Sequence, residues 1–175
     1  MALSLGMRVV ALSASGRRKD EGYRVEGTGD PEGQVPSAWY LPSQLGEFLA
    51  QCGFVVVAVP LTAETHGMIG EEALCSMRPD ALLVNIARGE VVQEEALLRA
   101  LREGWIGGAA LDAFQQEPLP SDHPFYGLDN VLITPHMAAM TRLYNERLTD
   151  LFIENLRRYL AGQELLNRVD TARGY

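Results

Sequence analysis

Along the chain, short apolar, β-branched runs alternate with longer stretches whose apolar positions fall three and four apart. "MRVVAL" (7–12), "FVVVAV" (54–59), "ALLVNI" (81–86), the Ala109–Asp112 part of "GGAALDAF" and "NVLITP" (130–135) read as strands. Their continuous apolar character predicts strands buried on both faces. Between them, Leu45, Phe48, Leu49 and Cys52 mark one face of a helix with Ser43 as its N-cap. A short helix spans Glu71–Met77 and stops before Pro79. A longer one, Gln93–Glu103, carries Ala96, Leu97, Ala100 and Leu101 at helical spacing and ends at Gly104. The last helix begins after Thr141 as N-cap and runs to Leu160, with Leu148, Leu151, Phe152, Asn155, Leu156 and Tyr159 as its inner stripe. Residues 13–36, rich in Gly, Pro and charge, read as a loop or insertion, and "SAWYLP" (37–42) holds a short strand.

Strands alternating with amphipathic helices predict an α/β fold, a Rossmann-like doubly wound parallel sheet. Such sheets gather ligands at the carboxyl ends of their strands, so chemistry is sought in the residues just after each strand. Composition narrows the candidates. With 47% hydrophobic and 22% charged residues the chain is ordinary for a globular domain. A formal net charge of −8 argues against nucleic acid or an anionic membrane as partner. No apolar run is long enough to span a bilayer. Arg8, inside the first apolar run, argues against a secretion signal, so a reducing cytoplasm is the expected compartment. Cys52 and Cys75 lack metal-ligand spacing and read as small buried apolar groups; no residue is assigned to a metal.

Three strand ends carry polar groups of different kinds: Arg88 in "NIARGEVV", Glu117 in "LDAFQQEPLP" and His136 in "TPHMAAMT". A guanidinium can grip a substrate carboxylate and polarise the adjacent carbonyl. An imidazole can shuttle a proton at that oxygen, and a paired carboxylate favours its charged form. Each also has a plainer role, as a surface ion pair, a structural histidine or a solvated charge. His66 and His123 are weaker candidates, the latter set in a turn with Asp122 and Pro124.

From Gly6 to the C-terminus the chain resembles the D-isomer-specific 2-hydroxy acid dehydrogenases, including those similar to phosphoglycerate dehydrogenase. The resemblance rests on "VPLTAETHGMIG", "LLVNIARGEVVQEEALLRALREGWIGGAALDAFQQEPLP", "HPFYGLDNVLITPH" and "LLNRVDTARGY", in that order and spacing. It implies hydride transfer between a nicotinamide and C2 of a small 2-hydroxy or 2-oxo acid, with Arg88 binding substrate, His136 as acid–base and Glu117 as its carboxylate partner. It places Asp112 at the nicotinamide carboxamide, and Pro60, Ala87 and the small residues after His136, such as Ala139, along the cofactor cleft. It also implies a homo-oligomer, commonly a dimer. The small residues after the histidine depart from the family's usual glycine- or serine-containing pattern. Ser13 stands where NAD-preferring members carry an acidic residue; with Arg17 and Arg18 behind it, NADP and NAD both remain open as cofactor.

No G-x-G-x-x-G loop is present. "GTGDPEG" (27–33) imitates one, but its two acidic residues, its proline and the lack of a following helix exclude a phosphate cradle. In the family that loop immediately precedes "LGMRVVAL", so the expectation is a C-terminal portion of a dehydrogenase. Residues 1–160 would be a partial nucleotide-binding domain and 161–175 a tail returning toward a substrate domain. A strand central to the family's sheet would then be missing between "MRVVAL" and "FVVVAV". Those two strands are expected either to pair directly or to recruit another chain. The alternative is a non-catalytic binding or assembly module that keeps the fold without the chemistry.

Overall fold

The computed structural model describes residues 2–14, 16, 23–25 and 27–171. It divides into two compact units, one built from residues 43–138 and one from the segments on either side. No helix among the described residues is long and apolar enough to cross a membrane.

The central unit is a parallel four-stranded sheet in sequence order, formed by β3 (Phe54–Val57), β4 (Leu82–Asn85), β5 (Gly108–Leu111) and β6 (Val131–Ile133). The register aligns Val55, Leu83, Ala109 and Val131 across the strands, and one step on Val57, Asn85, Leu111 and Ile133. On this face Val55, Val57, Leu83, Asn85, Ala109 and Leu111 are all buried. They form the core with Leu49 of α1 (Leu45–Ala50), Ala73 and Leu74 of α2 (Glu71–Ser76), and Ala96, Leu97, Ala100 and Leu101 of α3 (Glu94–Glu103). The four apolar positions that the spacing of α3 selects are the four it buries. Gly104 ends that helix at φ +72°, a left-handed C-cap that favours glycine.

The opposite sheet face departs from the expectation of burial on both sides. Phe54, Val56 and Leu132 are more than half exposed, and Leu82 also lies open. The strands are apolar throughout, but these helices cover one face of the sheet. Cys52 is buried as expected, whereas Cys75 is exposed because it falls on the solvent side of α2. The expected caps also shift. Ser43 lies inside a 3-10 turn, Pro42–Gln44, that leads into α1 without a side-chain cap.

In the flanking unit, the run "MRVVAL" yields only a two-residue strand, β1 (Ala11–Leu12), which pairs in parallel with β2 (Trp39–Tyr40). Of the two outcomes expected, direct pairing of "MRVVAL" with "FVVVAV" is not seen among the described residues: β1 pairs with β2, and β3 is an outer strand of its own sheet. The glycine-rich stretch at 27–33 turns on itself. The Asp30 carboxylate accepts the N–H groups of Gln34 and Val35, both at 2.8 Å, so donors that a phosphate would need serve an internal acid. The last helix, α4 (Tyr144–Leu160), starts three residues beyond Thr141, whose carbonyl, not its side chain, meets the Tyr144 N–H. Its apolar stripe is present, but no residue of α4 is buried. Asn155 of that stripe instead clasps the tail through both the N–H and the carbonyl of Leu166.

Candidate active site

The sheet delivers three loops from the carboxyl ends of β4, β5 and β6, and each is held by a different device. After β4, the buried Asn85 side chain accepts the Ala87 N–H and donates to the Arg88 carbonyl, both at 3.0 Å. This fixes an extended backbone at Arg88 and leaves the guanidinium exposed, with one N–H on the carbonyl of Ala87 at 2.8 Å. Gly89 then packs so closely on the loop after β5 that a Cβ there would stand 2.0 Å from the Phe114 carbonyl carbon.

That second loop carries Glu117. Its Oε1 accepts the Phe114 N–H at 3.0 Å and its Oε2 lies 2.8 Å from Nδ1 of His136. The His136 hydrogen bond, the Phe114 N–H and the nearby positive charges hold the Glu117 carboxyl below the usual carboxylate range, against the opposing effect of burial. An ionised carboxylate only accepts, so His136 carries a proton on Nδ1 and turns Nε2 away from Glu117. His136 itself sits at φ +50°, an uncommon backbone for a residue with a side chain.

Asp112 lies just after β5 and is 4% exposed. Burial pushes its carboxyl up, yet the Thr134 hydroxyl and the N–H groups of Met137 and Ala138 outweigh this and bring it below its ordinary value. Of the other sequence candidates, Ala87 is buried beside Asn85, and Pro60 is exposed after β3, its carbonyl accepting the Thr65 hydroxyl at 2.6 Å. Ser13 and Ala139 belong to the flanking unit. The Ser13 hydroxyl is buried and has no partner among the described residues. Ala139 lines an open groove there with Tyr144 and Leu148. Arg17 and Arg18 lie outside the described residues.

The structure thus joins Glu117 to His136 directly and places Arg88 where its charge acts on Glu117. Sequence reasoning missed Asn85, Gly89 and Thr134, whose work is to hold backbone; the one available signal was a polar residue closing an otherwise apolar strand. His123, set by sequence in a turn with Asp122 and Pro124, caps the 3-10 turn Pro124–Gly127. Its Nδ1 accepts the Phe125 N–H and its Nε2 meets Glu94 of α3 at 2.9 Å, both side chains being mostly covered.

A ligand's polar ends find complements here in the ring nitrogen of His136 and the exposed Arg88 guanidinium. Residues 1–138 match the family model for the D-isomer specific 2-hydroxyacid dehydrogenase, NAD binding domain. The chain is 44% identical over 141 residues to a glyoxylate reductase of Thermofilum pendens, covering 81% of this chain and 41% of that protein. It is similar to a crystal structure of a D-isomer specific 2-hydroxyacid dehydrogenase from Xanthobacter autotrophicus in complex with NADPH and MES, with 43% identity and a TM-score of 0.75. That match covers 81% of this chain and 46% of the other. A probable 2-hydroxyacid dehydrogenase from Rhizobium etli, in complex with NADP, HEPES and tartaric acid, is 31% identical with a TM-score of 0.75, covering 99% of this chain and 51% of that one. The chain therefore spans about half the length, or less, of these relatives. Through its NAD-binding domain, this protein belongs to the D-isomer specific 2-hydroxyacid dehydrogenase family.

Proposed function

We propose that the chain carries the proton-transfer and carboxylate-binding groups of an NAD- or NADP-dependent D-2-hydroxyacid dehydrogenase acting on a small 2-hydroxy or 2-oxo acid. The observation that supports this best is the 2.8 Å contact between Glu117 and Nδ1 of His136, which leaves Nε2 as the working nitrogen. When bound, the nicotinamide supplies or accepts the hydride at C2 of the substrate. His136 handles the accompanying proton: charged, its Nε2 delivers a proton to the 2-oxo oxygen; neutral, it takes the proton from the 2-hydroxyl group. Glu117 stabilises the charged ring throughout, and Arg88 neutralises the substrate carboxylate and draws electron density from the neighbouring carbonyl.

On the cofactor side, Pro60, Ala87 and Asp112 would border the nicotinamide, and Ser13, Arg17 and Arg18 the adenosine ribose. The Ser13 hydroxyl, with no hydrogen-bond partner among the described residues, suits a ribose oxygen. Residues 1–175 contain no G-x-G-x-x-G stretch, so the pyrophosphate has no cradle among them. By themselves they bind dinucleotide weakly and turn over no substrate. A fluorescence titration with NADH and NADPH tests this, and tight binding of either would refute it. In a longer protein with a complete phosphate loop, His136→Ala should lower kcat for glyoxylate-type substrates by about 10²–10⁴-fold. Full activity in that variant would sink the acid–base assignment.

A further inference from the structure

His136 occupies an unusual backbone, and three of its near neighbours turn donors toward one buried acid. Asp112 Oδ1 accepts the Thr134 hydroxyl at 2.5 Å and the Met137 N–H at 2.8 Å, and Oδ2 accepts the Ala138 N–H at 2.8 Å. These donors stand on both sides of His136 in the chain. The Asp112 backbone is in turn tied to β4, its N–H meeting the Asn85 carbonyl at 3.0 Å. The acid is 4% exposed, whereas the His136 side chain is 45% exposed. A left-handed backbone at a non-glycine residue is unfavourable and persists only where its surroundings fix it.

We propose that Asp112 is a positioning residue: its carboxylate latches residues 134–138 so that His136 presents Nδ1 to Glu117 and Nε2 to the substrate. This rests on the reading of His136 as the acid–base group. The latch does not depend on contact with the nicotinamide. Three donors on two carboxylate oxygens still leave lone-pair capacity, so the two roles are compatible.

Imidazole nitrogen NMR of the chain itself tests the latch without requiring turnover. In the parent chain, the neutral His136 ring should show the Nδ1–H form. His123 supplies an internal control for folding, because the Phe125 N–H on its Nδ1 dictates the opposite form, with the proton on Nε2. Asp112→Asn keeps the side chain's size but turns an N–H₂ group toward at least one of the backbone donors. It should lose the single Nδ1–H form at His136 while His123 stays unchanged. If His136 keeps the parent signals in that variant, the latch is refuted and the acid–base reading stands. A parent ring that already mixes the two forms would overturn both. Should Asp112→Asn lose the His123 control signal, Thr134→Val removes one of the three donors and leaves the carboxylate. It should shift the His136 ring signals and speed amide exchange at Met137 and Ala138; no change in either would refute the latch.

Discussion

Replacing Gly89 with alanine tests whether the Arg88 loop and the Glu117 loop are held together by backbone contact. The added Cβ would lie 2.0 Å from the Phe114 carbonyl carbon, 2.2 Å from the Gln115 nitrogen and 2.3 Å from the Phe114 oxygen. Ordinary contact begins at 3.4 Å, so the two loops must part by about 1.4 Å, the difference between 3.4 and 2.0. No side-chain rotation relieves this, because all three obstructing atoms are backbone. Overpacking costs about 1–3 kcal/mol, and a rigid backbone obstruction belongs at the upper end, about 3 kcal/mol. For a chain of this length each kcal/mol lowers Tm by about 2–4 °C, which gives a fall of about 6–12 °C. Thermal unfolding followed by circular dichroism measures it. Gly127→Ala is the control, since a Cβ there meets nothing within 4 Å. The parted loops should also weaken the Phe114 N–H bond to Glu117, seen as faster amide exchange. A Gly89→Ala protein melting within 2 °C of the control would refute the close packing.

Asn85→Ala removes both bonds that fix the Arg88 loop and leaves the Ala87 N–H, in the buried interior, without its partner. A loss of about 1–3 kcal/mol is expected for that abandoned group, and a urea midpoint equal to the parent's would count against it. Leu97→Ala, at a position 2% exposed in α3, should cost about 2–5 kcal/mol through its transfer and cavity terms, measured in the same urea titration. The carboxyls of Asp112 and Glu117 both lie below their ordinary values in the folded chain. Such groups stabilise the fold above the unfolded carboxylate value, near pH 4, and the contribution is lost as pH falls through the lower folded values. Acid unfolding followed by tryptophan fluorescence should therefore show stability falling below about pH 4, with a shallower slope in Asp112→Asn. An equal slope in the two proteins would contradict the assignment.

Why some of this was legible before the structure, and some was not, follows from the range over which each feature acts. In α3 the spacing of Ala96, Leu97, Ala100 and Leu101 is a local pattern, and a helix has one way to bury it. The apolar runs at 54–57, 82–85 and 131–133 announced strands for the same reason. Burial of both faces did not follow, because an apolar strand states what its faces prefer, not which helices arrive to cover them. "MRVVAL" shows the same gap more sharply: its composition is that of a strand, but only the two residues with a partner at Trp39–Tyr40 form one. A strand exists by its neighbour, and neighbours are fixed by topology. The caps at Ser43 and Thr141 failed because a 3-10 turn or a backbone carbonyl already met the first helical N–H groups.

The candidate site divides along the same line. Arg88, Glu117 and His136 stood out as candidates because each is a polar group in a loop that follows an apolar strand. The supporting roles of Asn85 and Asp112 were not legible, because both act largely by meeting backbone atoms that sequence does not distinguish. These two are the buried polar side chains of the core among the described residues, and they are adjacent across the sheet through the Asp112 N–H and the Asn85 carbonyl. Each holds the loop of one exposed partner, Asn85 that of Arg88 and Asp112 that of His136, while Gly89 seats the Arg88 loop against the one bearing Glu117. Exposed side chains on loops lose orientation to thermal motion unless a rigid element constrains them. Placing the constraint one residue deep, on a parallel sheet with fixed register, lets the working groups stay accessible while their backbone inherits the rigidity of the core. Perturbing either buried polar residue should therefore disturb its own loop first, Arg88 for Asn85 and His136 for Asp112, and a variant of one that disordered both loops equally would show the sheet, not the side chain, to be the support.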